Sequence, residues 1–453
     1  MRIVIEGAGE VGSHLAKMLR EESNDVTVID NDAQRLEKLE GYADVETLYG
    51  NPTSPQVLKD AGVDKADLFI AVVPFAAQEV NVVGALLAKQ LGAGKVIARI
   101  TDEEYLSAEN KLLFKELGIE LMFYPEKSAA DEIAAFLKHS STTDTLEFAR
   151  GKLQMVVFRL DEDSPMLDMK LEEFARNLTP EEIKQFRIIA IARENSTIIP
   201  RLDTKFLYDD LVFTISRREG IPSLYKCFGK SDINIESVMI LGGSAISEML
   251  ARKLDGEGIS VKIIESDKQR CIELTENLPN DILIVNGDGR NSDFLYDEGI
   301  RDYDAFVALT ANDESNVLAC VVAKKFGVLR TVAEVENIEY IRLAEEMGVD
   351  NVINKKLITA GRIFKFTLSG RAKFVRYMTG TRAEVVEYTV APGAAITKGA
   401  LKDINFPHGA IIGGIIRGGE SFIAVGDTII EAYDRVAIFV LPETIKEIDR
   451  FFK

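Results

Sequence analysis

The chain has 453 residues, 46% of them apolar, and its 73 acidic and 54 basic side chains give a formal net charge of −19. This length predicts two to four globular domains, and the negative charge opposes binding to DNA, RNA or anionic lipid. The sequence has no run of 18 apolar residues and opens on a strand pattern instead of an export leader, so we expect neither a membrane span nor secretion.

The few cysteines and histidines argue against a zinc site or a disulfide framework. None of them has a companion at metal-ligand spacing; they are Cys227, Cys271, Cys320, His14, His139 and His408. We therefore predict no bound metal and a reducing, cytoplasmic location.

Residues 1–139 alternate between strand and helix patterns. An apolar strand enters the turn GAGEVG at Gly7, a helical pattern continues to Arg20, and a β-branched strand ends at Asp30. Further strands are predicted at 46–49, 68–73, 96–100 and 120–123, and helices at 34–39, 55–61, 77–91 and 105–117. This alternation predicts an α/β fold with a Rossmann-like, doubly wound parallel sheet.

Residues 140–228 read instead as a small β-rich module. A bridging helix is predicted at 126–138, the polar run 140–143 marks the boundary, and short strands are predicted at 153–160, 187–192, 196–199 and 211–216.

The second half repeats both parts in the same order. Gly242 and Glu265 follow Gly7 and Asp30 by 235 residues each, and the pattern of the β-rich module recurs as well. We therefore predict a second Rossmann-like domain at 232–369 and a second β-rich module at 370–453, in an A-B-A′-B′ order.

The first glycine-rich turn has the features of a dinucleotide site. Gly7 permits a tight turn, Gly9 lets the backbone approach a pyrophosphate, and Gly12 lets helix and strand pack closely. The amides that follow lie at a helix N-terminus, where phosphate binds. Asp30, at the end of the second strand, offers an acceptor for ribose hydroxyls and favours NAD over NADP.

The second glycine-rich turn is degraded. Ser244 and Ser247 stand where the first copy has Gly9 and Gly12, which predicts a more crowded approach to a diphosphate, although Glu265 keeps a ribose acceptor. Nucleotide binding and a purely structural role both stay open for this copy.

An NAD-dependent oxidoreductase is the alternative function. Such an enzyme needs a general acid or base beside the hydride path, but no tyrosine is followed by lysine four residues later, and the β-rich modules are short for a substrate cavity. The sequence therefore favours a nucleotide-responsive regulator without chemistry of its own.

Longer motifs resemble those of the tandem RCK family of potassium-conductance regulators, over nearly the whole chain. They are GAGEVG at Gly7, VTVIDND ending at Asp32, YGNPTSPQVLKDAG from Tyr49, ARITDEEY ending at Tyr105, VNGDGRNSDFLYDEG and ALTANDESNVLA from Ala308. The resemblance implies a cytoplasmic homotetrameric ring beneath a membrane-embedded potassium-translocating subunit of the TrkH/TrkG type. In this family, NAD(H) and adenine nucleotides alter the ring and thereby gate the channel.

The resemblance also implies two sets of nucleotide-binding residues. The first set, for NAD(H), is Gly7, Ala8, Gly9, Glu10, Val11, Asp30, Asn51, Val73, Pro74 and Arg99. The second, for NAD(H) or ATP/ADP, is Gly242, Gly243, Ser244, Ala245, Ile246, Glu265, Asp288, Thr310, Ala311 and Glu334. Arg99 would contact phosphate or a neighbouring subunit, and Glu334 reverses its charge, so we expect the two sites to prefer different ligands. The first copy departs from the family pattern after Val73, where it is two residues longer than the second.

Overall fold

The first domain is a six-stranded parallel sheet with helices on both faces. The structure is a computed structural model that describes residues 1–73, 78–138, 144–148, 151–194, 196–230, 234–367, 372–377 and 383–452. The strands are β1 (Arg2–Glu6), β2 (Asp25–Asp30), β3 (Glu46–Tyr49), β4 (Leu68–Ala71), β5 (Lys95–Arg99) and β6 (Leu121–Phe123). The helices are α1 (Glu10–Glu21), α2 (Ala33–Glu40), α3 (Pro55–Asp60), α4 (Gln78–Leu91), α5 (Ala108–Glu116) and α6 (Pro125–Lys138).

The strand order β3-β2-β1-β4-β5-β6 confirms the predicted doubly wound fold. The order reverses between β1 and β4, and the crevice outside the carboxyl ends of these two strands is where such sheets bind ligands. The strand interiors are buried on both faces, as their apolar sequences predicted.

One predicted helix is divided. The pattern over 105–117 predicted a single helix, but a 3-10 turn covers Glu103–Leu106 and α5 begins only at Ala108. The Ser107 hydroxyl accepts a hydrogen bond from the backbone N–H of Asn110 at 3.2 Å, and this cap starts a new helix. Because the apolar spacing continues across the cap, the spacing alone did not indicate the break.

The first β-rich module is a five-stranded antiparallel sheet in the order β10-β9-β11-β8-β7. Its strands are β7 (Asp144–Phe148), β8 (Leu153–Arg159), β9 (Phe186–Arg193), β10 (Ser196–Ile198) and β11 (Leu211–Arg217). The sequence patterns missed β7 and three short helices, because segments of five to seven residues are too short to show a hydrophobic periodicity. The helices are α7 (Leu171–Asn177), α8 (Pro180–Gln185) and α9 (Ile221–Cys227). The predicted boundary run 140–143 lies outside the described residues.

The second Rossmann-like sheet repeats the strand order of the first, as β14-β13-β12-β15-β16-β17. Its strands are β12 (Ser237–Leu241), β13 (Ser260–Glu265), β14 (Leu283–Asn286), β15 (Ala305–Ala308), β16 (Arg330–Glu334) and β17 (Asn351–Ile353). Its helices are α10 (Ala245–Gly256), α11 (Lys268–Asn277), α12 (Ser292–Asp297), α13 (Asp313–Lys325), α14 (Glu339–Glu346) and α15 (Lys355–Thr367).

The second β-rich module is again a five-stranded antiparallel sheet, in the order β18-β19-β22-β20-β21. Its strands are β18 (Ala372–Tyr377), β19 (Glu384–Thr389), β20 (Ala410–Arg417), β21 (Glu420–Ile423) and β22 (Arg435–Val440), and the short helix α16 (Ile445–Ile448) follows. The alternation of α/β domain and β-rich module is the predicted tandem arrangement. No helix among the described residues is long and apolar enough to cross a membrane.

The two Rossmann-like domains belong to one compact unit, Met1–Ala134 with Glu236–Thr367. The helix that leaves the second sheet, α15, packs on α1 of the first sheet. A reciprocal contact joins the helix that leaves the first sheet to α10, where Lys253 Nζ lies 2.7 Å from Asp131 Oδ1. The helix that follows each glycine-rich turn, α1 or α10, is therefore in contact with the other repeat.

The two β-rich modules belong to a second unit, Ala135–Ile235 with Leu368–Lys453. Their sheets share an apolar cluster in which the rings of Phe213 and Phe439 lie 5.4 Å apart. Each module also holds a buried aspartate that its arginine contacts through two nitrogens, Asp210 with Arg193 and Asp434 with Arg417.

Candidate nucleotide-binding sites

Two glycines of the first glycine-rich turn leave no room for a β-carbon. Gly7 adopts φ +107°, and a β-carbon there would lie 2.7 Å from the backbone nitrogen of Val73. A β-carbon at Gly12 would overlap the carbonyl oxygen of Gly7. These glycines let β1, α1 and the loop after β4 approach one another closely, as the motif predicted.

The N-terminus of α1 has no side-chain cap. Gly9 is the N-cap residue, and among the described residues no side chain caps the first-turn amides, which begin at Glu10 and Val11. Unpartnered amides at a helix N-terminus carry partial positive charge and bind phosphate. The first turn therefore fits a pyrophosphate.

Asp30 anchors the loop that precedes α1. Its carboxylate is 3% exposed and accepts hydrogen bonds from the backbone N–H of Ala8 at 2.6 Å and of Asp32 at 2.9 Å. Arg35 Nη1 lies 3.9 Å from Oδ2 of the same carboxylate. A carboxylate has about four acceptor positions, so this group keeps capacity for ribose hydroxyls while it fixes the loop.

Asn81, which the sequence reasoning did not select, joins the ends of β4 and β5. Its Oδ1 accepts the backbone N–H of Val73 at 2.8 Å, and its Nδ2 donates to the carbonyl oxygens of Val73 and Arg99 at 3.3 and 3.2 Å.

Two predicted residues of the first site remain to be placed. Pro74 lies outside the described residues. Asn51 closes a turn by accepting the backbone N–H of Thr53 at 3.0 Å.

Asn316 does the same in the second copy. Its Oδ1 accepts the backbone N–H of Thr310 at 3.0 Å, and its Nδ2 donates to the carbonyl oxygens of Thr310 and Glu334 at 2.9 and 2.8 Å. Both asparagines are buried. The recurrence of asparagine in the two repeats was the sequence signal that could have identified it.

The second glycine-rich turn keeps the backbone path of the first. Gly242 adopts φ +96°, and the Glu265 carboxylate accepts the backbone N–H of Gly243 at 2.6 Å and of Asp267 at 2.7 Å. Glu265 therefore fixes its loop just as Asp30 fixes the first.

The N-terminus of α10, however, is capped by its own side chains. The Ser244 hydroxyl accepts the backbone N–H of Ser247 at 3.3 Å, and the Ser247 hydroxyl donates to the carbonyl oxygen of Gly242 at 2.6 Å. Ala245 and Ile246 form the first turn behind this cap. Gly9 and Gly12 of the first copy have no hydroxyl groups that could make these hydrogen bonds.

Arg270 also covers the second turn. Its Nε donates to the carbonyl oxygen of Gly243 at 2.7 Å, and its Nη2 lies 2.9 Å from Glu248. Arg290 pairs with Asp288 at 2.8 Å and lowers the pKa of that carboxyl to about 2. Ala311 lies in the exposed turn before α13. Arg270 and Arg290 did not stand out in the sequence.

The ion pairs at the ends of β5 and β16 have opposite polarity. Arg99 Nη2 lies 3.0 Å from Glu126 in the first copy, and Glu334 lies 3.0 Å from Lys355 Nζ in the second. Burial raises the pKa of Glu334, against the opposing effect of the nearby Lys355. Arg99 is thus tied to α6 of its own repeat in this structure.

The first glycine-rich turn also contacts the second repeat. Lys356 Nζ lies 3.2 Å from the Glu10 carboxylate and donates to the carbonyl oxygen of Glu336 at 3.0 Å. Lys355 Nζ lies 3.0 Å from the carboxylate of Glu336. Lys356, at the N-terminus of α15, therefore lies beside the N-terminus of α1.

Family models match both halves of the chain. The TrkA-N domain matches residues 3–125 and 238–355, and the TrkA-C domain matches 155–229 and 385–453. The chain belongs to the TrkA family. A family member from Archaeoglobus fulgidus, named "Trk system potassium uptake protein TrkA homolog", is 35% identical over 100% of both chains. Another from Halomonas elongata is 32% identical over 100% of this chain and 99% of its own.

Solved structures support the fold of this TrkA family member. "Crystal Structure of the GsuK RCK domain" matches with a TM-score of 0.62 and 18% identity, over 100% of this chain and 94% of that one. "GsuK channel bound to NAD" matches with a TM-score of 0.62 and 18% identity, over 100% of this chain and 78% of that one. The tandem RCK architecture expected from the motifs is therefore confirmed.

Proposed function

We propose that this chain is a nucleotide-responsive regulatory subunit of a potassium uptake system and has no catalytic chemistry of its own. Residues 1–139 and 232–369 are the nucleotide-binding domains, and 140–228 and 370–453 are the β-rich modules. The observation that carries the proposal is the uncapped N-terminus of α1 beside the buried carboxylate of Asp30, in a chain of the TrkA family.

The first site is proposed to bind NAD(H). The amides at the N-terminus of α1 suit a pyrophosphate, and the buried Asp30 suits an unphosphorylated ribose because it would repel a 2′-phosphate. The second site is proposed to bind ADP, ATP or NAD(H) more weakly, since Ser244 and Arg270 already engage its turn. The distantly similar GsuK has one structure bound to NAD and another bound to ADP.

Self-association into a tetrameric ring is part of the proposal. Corresponding helices of the two repeats expose large apolar side chains, and α5 buries none of its residues. Exposed apolar side chains that form a contiguous patch mark a protein interface; the exposed apolar side chains of these helices and their ends are Val83, Leu112, Leu113, Leu318, Leu343 and Met347.

The proposed partner is a membrane-embedded potassium-translocating subunit of the TrkH/TrkG type, with the ring on its cytoplasmic face. The relatives named as Trk system potassium uptake proteins support this assignment. Gating requires that a nucleotide binds one arrangement of the ring more tightly than another, because only this difference in affinity can shift the equilibrium.

Calorimetric titration of the full chain with NADH, NAD, ADP and ATP tests the proposal. We expect NADH to bind the wild-type protein and the Glu265→Gln variant, and Asp30→Asn to lose most of this binding. The Glu46→Gln variant, changed at an exposed carboxylate in β3 of the same domain, is the control. Hydride transfer from NADH to any of a panel of carbonyl compounds, or no binding of any nucleotide, would overturn the proposal.

A further inference from the structure

The positive end of α15 lies against the positive end of α1, although 346 residues separate Glu10 from Lys356 in sequence. Helix N-termini carry partial positive charge, so their approach is unfavourable unless acidic groups lie between them. Glu10 and Glu336 supply those groups, at Lys356 and Lys355 respectively. Carboxylates thus hold the N-termini of α1 and α15 together at the first glycine-rich turn.

Lys356 is held in place for this role. Its side chain is 18% exposed, and its donation to the carbonyl oxygen of Glu336 at 3.0 Å fixes the ammonium beside the turn. Glu10 is the more accessible partner, because its side chain is 65% exposed. An anion at the amides of α1 would repel the Glu10 carboxylate and attract the Lys356 ammonium.

We infer that Lys356, from the second repeat, is a phosphate-binding residue of the first nucleotide site and that Glu10 holds its ammonium when no nucleotide is bound. This inference rests on the proposed function of the first site. It makes that site composite: the first repeat supplies the turn and the ribose acceptor, and the second supplies a cation for the pyrophosphate. Nucleotide at the first site would thereby connect the two repeats directly.

Calorimetric titration of NADH into full-length Lys356→Gln and Glu10→Gln variants tests the inference. A charge-assisted hydrogen bond to phosphate predicts about tenfold weaker NADH binding by Lys356→Gln. Glu10→Gln should bind NADH severalfold more tightly than the wild type, because a competing carboxylate is removed. A merely structural ion pair would weaken binding in both variants, so the opposite signs distinguish the two roles.

Lys253→Gln is the matched control, because Lys253 also pairs across the repeats but with Asp131. We expect its NADH affinity to stay within twofold of the wild type, and its melting temperature to fall about as much as that of Lys356→Gln. If the wild type binds NADH and Lys356→Gln binds it with the same affinity, the inference is overturned but the proposed function is not. Failure of the wild type to bind NADH would overturn both the inference and the assignment of NAD(H) to the first site.

Discussion

The buried carboxyl of Glu6 occupies the space into which a side chain at residue 84 would project, so Glu6 and Gly84 form a matched pair. Glu6 ends β1 directly before the glycine-rich turn, and both of its carboxyl oxygens are buried without a hydrogen-bond partner among the described residues. In the second repeat the corresponding residues are Leu241 and Ala319, which lie in one apolar cluster. The first repeat thus has a desolvated acid where the second has ordinary core packing.

We expect Glu6→Leu to stabilise the chain at neutral pH. Burying a carboxyl without partners costs about 1–3 kcal/mol, and leucine of similar size would remove that cost. Urea denaturation at pH 7.5, followed by circular dichroism, measures the change. A lower unfolding free energy in Glu6→Leu would contradict this reading of the residue.

The stabilisation should depend on pH. Burial raises the pKa of Glu6 well above its usual value. Between the ordinary pKa of Glu6 in the unfolded chain and its raised pKa in the folded chain, the unfolded chain ionises this carboxyl while the folded chain keeps it protonated. The wild type therefore loses stability as the pH rises through this range. Glu6→Leu lacks this loss, and its advantage over the wild type should therefore grow from about pH 4.5 upward. An advantage that stays constant from pH 5 to 8 would show that Glu6 is ionised in the folded chain.

The Gly84→Ala substitution provides a separate prediction. Alone it should destabilise the chain by about 1–3 kcal/mol, because its β-carbon would overlap the Glu6 carboxyl. Combined with Glu6→Leu it should be much less costly, since the second repeat already contains leucine with alanine. A double-mutant cycle from denaturation curves measures the coupling. Additive effects would mean that the two residues do not meet.

The sequence predicted the sheets and the glycine-rich turns because these depend on local patterns. Each apolar run is short and continuous in the sequence. In each repeat the glycines of the turn and the acid that follows, Asp30 or Glu265, lie within about 30 residues of one another. Arg270 and Lys356 could not be predicted in the same way. Their roles depend on which loop and which repeat the folded chain brings next to them, and composition and periodicity do not contain this information.

The serine cap of α10 gives a prediction for the second site. Ser244→Gly should cost only a few tenths of a kcal/mol in stability, because glycine is itself a tolerated N-cap. It should also free the backbone N–H of Ser247 and strengthen ADP binding at the second site. Calorimetry with ADP measures this, and Ser107→Gly is the control, since that serine caps α5 instead. Equal or weaker ADP binding by Ser244→Gly would show that the cap does not limit the site.

The arginine–aspartate pair of the first β-rich module should be important for stability. Asp210 is fully buried and accepts hydrogen bonds from Arg193 at 2.8 Å and from the backbone N–H of Leu207 at 2.8 Å. Asp210→Ala leaves both donors without their acceptor and should cost about 3 kcal/mol. Glu172→Ala, which removes an exposed pair with Arg176, should cost less than about 0.5 kcal/mol in the same urea titration. Equal losses would refute the distinction.

Asp30 should affect both binding and the local order of the loop, because its carboxylate accepts the backbone N–H of Ala8 as well as facing the crevice. Asp30→Ala should weaken NADH binding about tenfold or more without unfolding the chain, and it should also speed hydrogen exchange at the Ala8 amide. Asp30→Asn keeps one acceptor oxygen for that amide, so it should restore the protection of Ala8 more than it restores affinity. NADH titration and amide exchange on the same samples separate the two effects. If Asp30→Ala binds NADH as tightly as the wild type, Asp30 is only an anchor for the loop.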